Sequence, residues 1–122
     1  MFVPHLHFCG DCEEAMAVYE KAFNTKPDTV IRADDGGIIH AEMRIHGQRV
    51  MLNNRFGNKD KTTDCAIAAV VTFDTTDELL KCYEVLKPDS TTIDGMSKES
   101  YTELAVQFLD AFGVQWAFMV EE

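Results

Sequence analysis

The sequence predicts an α+β fold of two tandem β-α-β-β-β modules, and three observations predict it. The first is an internal repeat. Pro4 to Phe23, PHLHFCGDCEEAMAVYEKAF, returns in weaker form at Ile67 to Leu86. At one constant offset Pro4 falls on Ala68, Leu6 on Val70, Gly10 on Asp74, Asp11 on Thr75, Glu14 on Glu78 and Tyr19 on Tyr83. The second is that short strand-like runs, not further helical periodicity, follow each copy. The third is the placing of turn residues: Asp34-Asp35-Gly36-Gly37 and Gly47 in the first half, Asp94-Gly95 and Asp110-Ala111-Phe112-Gly113 in the second. At 122 residues the chain has the length of a single domain, 1–122, with a core shared by its modules. Module one spans about 1–55, a linker about 56–64 and module two about 65–122.

Taken in order, proline and alternating residues to Phe8 make a strand ended by Gly10. Asp11 with Glu14 forms a capping box for a helix to Phe23. In that helix Cys12, Ala15, Met16, Tyr19, Ala22 and Phe23 recur at three- and four-residue spacing, so one stripe faces a sheet. Asn24 to Pro27 breaks it, and Asp28 to Arg32 is a short strand. In IIHAEMRIHG, Ile39, Ala41, Met43 and Ile45 alternate with His40, Glu42, Arg44 and His46, giving a strand with one apolar and one polar face. Gly47 turns the chain into a last strand, Gln48 to Leu52, and the polar run Phe56 to Asp64 links the modules. Module two repeats the order: strand Cys65 to Phe73, helix Thr75 to Leu86, short strand Ser90 to Ile93, a turn at Asp94-Gly95, strand Tyr101 to Leu109 and strand Val114 to Val120.

Composition narrows the function. A formal charge of -10 without any Lys/Arg run argues against nucleic acid and anionic membranes as partners and favours cationic or neutral small molecules. No apolar run approaches the roughly 20 residues of a spanning helix, and the start lacks a signal-like apolar core, so a cytoplasmic location is expected. Four cysteines are too few for a disulfide scaffold and are expected to be reduced. Cys9-Gly10-Asp11-Cys12 is a C-x-x-C at a helix start, where thiols can be activated. The second copy keeps the cap and the tyrosine but has Phe73 and Thr76 at the cysteine positions, so the pair is not part of the repeat.

Two such modules in tandem, with Pro4-His5-Leu6-His7-Phe8-Cys9-Gly10, Glu13-Glu14-Ala15, Tyr19, His40-Ala41-Glu42 and the closing Asp110-Ala111-Phe112-Gly113-Val114-Gln115-Trp116, resemble the PhnB-like branch of the vicinal oxygen chelate superfamily. That superfamily groups glyoxalases, bleomycin-resistance proteins and extradiol dioxygenases. The chain departs from the branch at His5, which replaces an aromatic residue, and between Lys87 and Ser100, which lacks a Trp- and Gly-containing loop. The resemblance implies a glyoxalase/bleomycin-resistance-type cup, paired in a homodimer because an open half-barrel leaves strand edges to cover. It also implies that metal ligands of metal-dependent relatives correspond to Pro4, Met51, Ala68 and Ala117, none of them a suitable donor. No cofactor is therefore expected. Relatives are sometimes labelled demethylubiquinone methyltransferases, but the chain has no methyl-donor signature.

The resulting reading is metal-independent binding of a small molecule in a cup between the modules. Its lining is assigned to Leu6, Phe8, His40, Glu42, Arg44, Met51 and Trp116, with His40 and Glu42 as candidate acid and base. The competing structural reading makes the polar strand face a solvated surface and Phe8, Phe56, Phe108, Trp116 and Phe118 plain core. A functional alternative is a metal-dependent lyase, isomerase or dioxygenase of the same superfamily, with a divalent metal on His5, His7, Glu42 and His46.

Overall fold

The structure is a computed structural model and describes residues 1–54, 67–99 and 102–121. The expected linker Phe56 to Asp64 lies outside the described residues, as do Cys65 and Tyr101, the expected starts of two strands. The chain forms two compact units, Met1–Lys61 and Thr62–Glu122. Each has the predicted element order.

Unit one comprises β1 (His5–Phe8), α1 (Cys12–Phe23), β2 (Pro27–Arg32), β3 (Ile38–Ile45) and β4 (Gln48–Asn54). Its sheet runs β1-β4-β3-β2, with β1 parallel to β4 and the other pairs antiparallel. Phe8, Ala41, Met43, Ile45, Val50 and Leu52 form the buried face of the sheet, and Ala15, Met16, Tyr19 and Phe23 of α1 bury against it. Tyr19 bridges the layers, with its ring centroid 6.1 Å from Phe8 and 6.2 Å from Phe23. Leu52 and Met43 are fully buried, and truncating either to Ala costs about 2–5 kcal/mol.

Three local departures from the sequence reading matter. Asp11 stands at the N-cap of α1 without capping it; its carboxylate accepts from Cys9 N at 3.2 Å instead. Asn54 Oδ1, from the far end of β4, accepts from Cys12 N and Gly10 N at 3.0 and 3.1 Å. On β3 it is Ile38, not Ile39, that is buried. Ile31 pairs with His40 and Arg32 with Ile38, so Ile39 is bulged out of the ladder and 40% exposed. Finally, His46 and Gly47 both have positive φ, 49° and 80°, forming the two-residue turn between β3 and β4. His46 therefore leaves the alternation, and its ring stands edge-on to Phe23 of α1 at 6.1 Å.

Unit two comprises β5 (Ala69–Phe73), α2 (Thr76–Leu86), β6 (Thr91–Glu99), β7 (Thr102–Leu109) and β8 (Gln115–Glu121). Its sheet order, β5-β8-β7-β6 with β5 parallel to β8, repeats that of unit one. Here the cap is as expected: Thr75 Oγ1 accepts from Glu78 N at 3.2 Å. Leu79, Cys82, Tyr83 and Leu86 bury against Phe73, Phe108, Trp116, Phe118 and Val120. Phe118 meets Phe73 and Phe108 edge-on, both at 5.1 Å, and Phe108 meets Tyr83 at 5.0 Å. The expected turn at Asp94-Gly95 is absent. β6 continues through both residues, and ladder irregularities on either side of Asp94 absorb the glycine within the strand.

The repeat is real but its offset is not constant. Helix positions repeat as Asp11 on Thr75 and Tyr19 on Tyr83, whereas strand positions repeat one residue further on, Leu6 on Val71 and Phe8 on Phe73. Leu6 pairs with the fully buried Leu52 and Val71 with the fully buried Phe118, while Val70 is 57% exposed. The extra residue lies in the β1–α1 turn, where Gly10 adopts φ 101°. A one-residue slip inverts the facing of a whole strand.

Candidate functional site

The face of sheet one turned away from α1 collects polar side chains. β1 presents His5 and His7, β4 presents Arg49, Met51 and Asn53, and β3 presents His40, Glu42 and Arg44. The register brings His5 opposite Met51 and Met51 opposite Glu42; His7 lies opposite Asn53 and Arg44 opposite Arg49. Partners across a ladder share a face.

Glu42 is the hub. Its Oε1 accepts from Arg49 Nε at 2.5 Å and its Oε2 from His40 Nε2 at 2.8 Å. The hydrogen bond from Arg49, then that from His40, hold the carboxyl down to about 2, and the same carboxylate pushes the Arg49 guanidinium up. An ionised carboxylate can only accept, so His40 carries its proton on Nε2. In the neutral ring Nδ1 is then the lone pair, and the side chain is 28% exposed.

Beside this group two further imidazoles gather. His5 lies 4.3 Å from His7 and 6.2 Å from His40, centroid to centroid, the latter edge-on. Partial burial, then the neighbouring rings of His7 and His40, hold His5 below its ordinary value and keep it neutral. His7 Nδ1 donates to Asn53 Oδ1 at 2.6 Å, and Asn53 is buried. The face thus offers a compensated carboxylate–guanidinium pair beside a neutral His5 and two further imidazoles with N–H donors.

Of the residues singled out from sequence, His40, Glu42 and Met51 meet on this face together with His5 and His7. Arg44 shares the face but stands at its margin, donating to Gly47 O at 3.1 Å and lying 3.8 Å from Asp28. Leu6, Phe8 and Trp116 do not join them. Leu6 points to the helix side of the sheet, as its pairing with Leu52 requires. Phe8 is fully buried there against Tyr19. Trp116 is 2% exposed on the helix side of sheet two, with Nε1 donating to Asp110 Oδ2 at 2.8 Å. His46 is absent from the group for the reason given by its turn geometry. Arg49 and Asn53 were missed from sequence, although alternation with Val50 and Leu52, carried past Leu52, points to both.

Among the described residues no three His, Cys, Asp or Glu side chains are grouped so as to hold a metal ion. The position carried over at Pro4 contributes a backbone contact, its carbonyl accepting from Met51 N at 2.9 Å. In the C-x-x-C both cysteines are free, Cys9 half-buried and Cys12 buried. Cys12 is fully buried, and burial first, then Asp11, Glu13 and Glu14, pushes its thiol up to about 12. Cys82 is likewise pushed to about 12 by burial.

The corresponding face of sheet two is of another kind. Val70 pairs with Ala117, Thr72 with Met119, Ala105 with Met119 and Gln107 with Asp94. A cavity of about 30 Å³ lies among Asp94, Ala105, Gln107, Ala117 and Met119. A larger, open depression of about 470 Å³ lies over the end of α1, bounded by Glu20, Lys21, Asn24 and Lys26.

Comparison with known proteins places these features in a family context. The family model described as the Glyoxalase/Bleomycin resistance protein/Dioxygenase superfamily matches residues 3–118. An uncharacterized protein of Mycobacterium bovis is 29% identical over 120 residues, covering 93% of this chain and 78% of its own length. Among solved structures, a putative 3-demethylubiquinone-9 3-methyltransferase, PhnB protein, from Bacillus cereus superposes with a TM-score of 0.87 at 25% identity, covering 98% of each chain. Protein PA1353 from Pseudomonas aeruginosa does so with a TM-score of 0.84 at 21% identity, covering 99% of this chain and 97% of its own.

Proposed function

This chain belongs to the Glyoxalase/Bleomycin resistance protein/Dioxygenase superfamily, as a PhnB-like member, and on that premise we propose that it binds a small molecule without a metal. The observation that carries the reading is the His5–His7–His40–Glu42–Arg49 group on one sheet face. Glu42 is held ionised but already compensated by Arg49, and His5 is neutral, so the face is a hydrogen-bonding surface of low net charge. The chain around it carries a formal charge of -10. A neutral or basic ligand is therefore favoured over an anion. The reading includes a homodimer, since each sheet ends in edge strands and β2 exposes Val30 and Ile31 at 40% and 50%. It also includes a cytoplasmic location, which suits unoxidised, buried Cys12 and Cys82.

The test is a thermal-shift screen of basic, neutral and anionic small molecules in the presence of a chelator, with hits remeasured by calorimetry on wild type and E42Q. A ligand at a hundred times its Kd adds about 2.7 kcal/mol, a shift of several degrees. Binding by basic or neutral compounds that is indifferent to chelator and weakened in E42Q is expected. Hits that appear only with an added divalent ion and vanish in a His5/His7 double alanine variant would replace this reading with the metal-dependent lyase, isomerase or dioxygenase.

A further inference from the structure

We infer that His40 is a general base that activates water for hydrolysis of a small ester, with Glu42 and Arg49 as positioning residues. The inference rests on the polar face of sheet one being the ligand site, and goes beyond binding. Three geometric facts carry it. Glu42 Oε2 accepts a hydrogen bond from His40 Nε2–H at 2.8 Å, which fixes both tautomer and ring orientation. Arg49 Nε on Oε1 at 2.5 Å keeps that carboxylate from turning away. Nδ1 of His40 has no hydrogen-bond partner among the described residues, on a side chain 28% exposed. A solvated strand face needs the ion pair but not this third member.

The same face supplies an electrophile. His5 makes no hydrogen bond among the described residues, and its ring lies 6.2 Å from that of His40. One of its nitrogens carries a proton, and that N–H can meet an oxygen held over the two rings. In the step, His40 Nδ1 takes a proton from water as the water oxygen forms a bond to the acyl carbon. The carbonyl π pair moves onto oxygen, where His5 N–H donates to it. The imidazolium shares its Nε2 proton with the Glu42 carboxylate. Collapse of the tetrahedral intermediate breaks the bond to the leaving oxygen, which takes the Nδ1 proton from His40. Ester and water become acid and alcohol, and His40 is again neutral. No oxidant, reductant or further reactant enters.

The probe is para-nitrophenyl acetate, with hydrolysis followed by release of nitrophenolate. Saturable hydrolysis is expected, with kcat falling by about a hundredfold or more in H40Q. E42Q lowers kcat beyond any weakening of KM, and nitrogen-detected NMR of its imidazoles shows the Nε2–H preference of His40 lost. H46Q, whose ring packs on Phe23 instead, is unchanged. Thermal melts of H40Q keep a folding defect from being mistaken for a catalytic one. The inference is overturned if wild type is no faster than free imidazole at equal concentration, or if folded H40Q matches wild type. It is also overturned if wild-type His40 carries its proton on Nδ1, or if a burst equal to the enzyme concentration marks the imidazole as nucleophile. Any of these, beside intact thermal-shift hits, leaves ligand binding standing. H40Q-sensitive hydrolysis with no thermal-shift hit would do the reverse.

Discussion

Asp110 closes the last hairpin almost alone. Its Oδ1 accepts from Phe112 N and Val114 N, both at 2.9 Å, and its Oδ2 from Trp116 Nε1, while the side chain is 4% exposed. The D-x-F-G-V-x-W run is thus a folding device: the aspartate tethers the turn and orients the tryptophan into the core, and Gly113 supplies φ 95°. Removing three acceptor contacts in D110A, one of them buried, lowers stability by about 3 kcal/mol, measurable by urea denaturation. Glu42 makes a different prediction. Its folded value of about 2 lies below the ordinary 4.5, so its contribution is fully present above pH 4.5 and is lost as pH falls through 2. Wild type should lose more stability than E42Q across that window at low ionic strength, and parallel acid-side urea curves would contradict the pairing. A third prediction concerns the thiols. With their values near 12, Cys12 and Cys82 resist iodoacetamide in the folded protein at neutral pH, and peptide mass spectrometry reads this directly.

At the level of elements, the two helices are started by different means. α2 is capped by its own Thr75, whereas α1 borrows Asn54 from the end of β4. The cause is the extra residue at Gly10, which alters the approach of the chain to the helix and turns the Asp11 carboxylate back onto Cys9 N. N54A and T75A should each cost about 1 kcal/mol, with D11A costing less than either. Equal losses in D11A and N54A would contradict the assignment. G10A meets no atom within 4 Å, so steric crowding is not its penalty; the positive φ alone should cost about 1 kcal/mol. The β3 bulge has a consequence for the site as well. By releasing Ile39, it lets Ile38 cover the core while His40 and Glu42 keep to the polar face.

At the scale of the whole molecule, the homodimer is the proposal nearest to a simple measurement: size exclusion with light scattering should give twice the 13.7 kDa chain mass throughout the micromolar range. Among the described residues no helix is long and apolar enough to cross a membrane. The chain's periodicities by themselves determined the two β-α-β-β-β modules and the polar strand face holding His40 and Glu42. Burial of one stripe of a helix and one face of a strand leaves a local record at spacings of three to four and of two. What lies beyond one element left no such record. Local pattern gave no sign of Asn54 capping a helix that starts 42 residues earlier, of Arg49 locking Glu42 from the next strand, or of His46 leaving its strand for the helix side. Nor did the motif match reveal Phe8 and Trp116 as core. Facing within a sheet is set by strand register, which one inserted residue reverses without changing composition or repeat, so only the paired backbones decided which histidines meet.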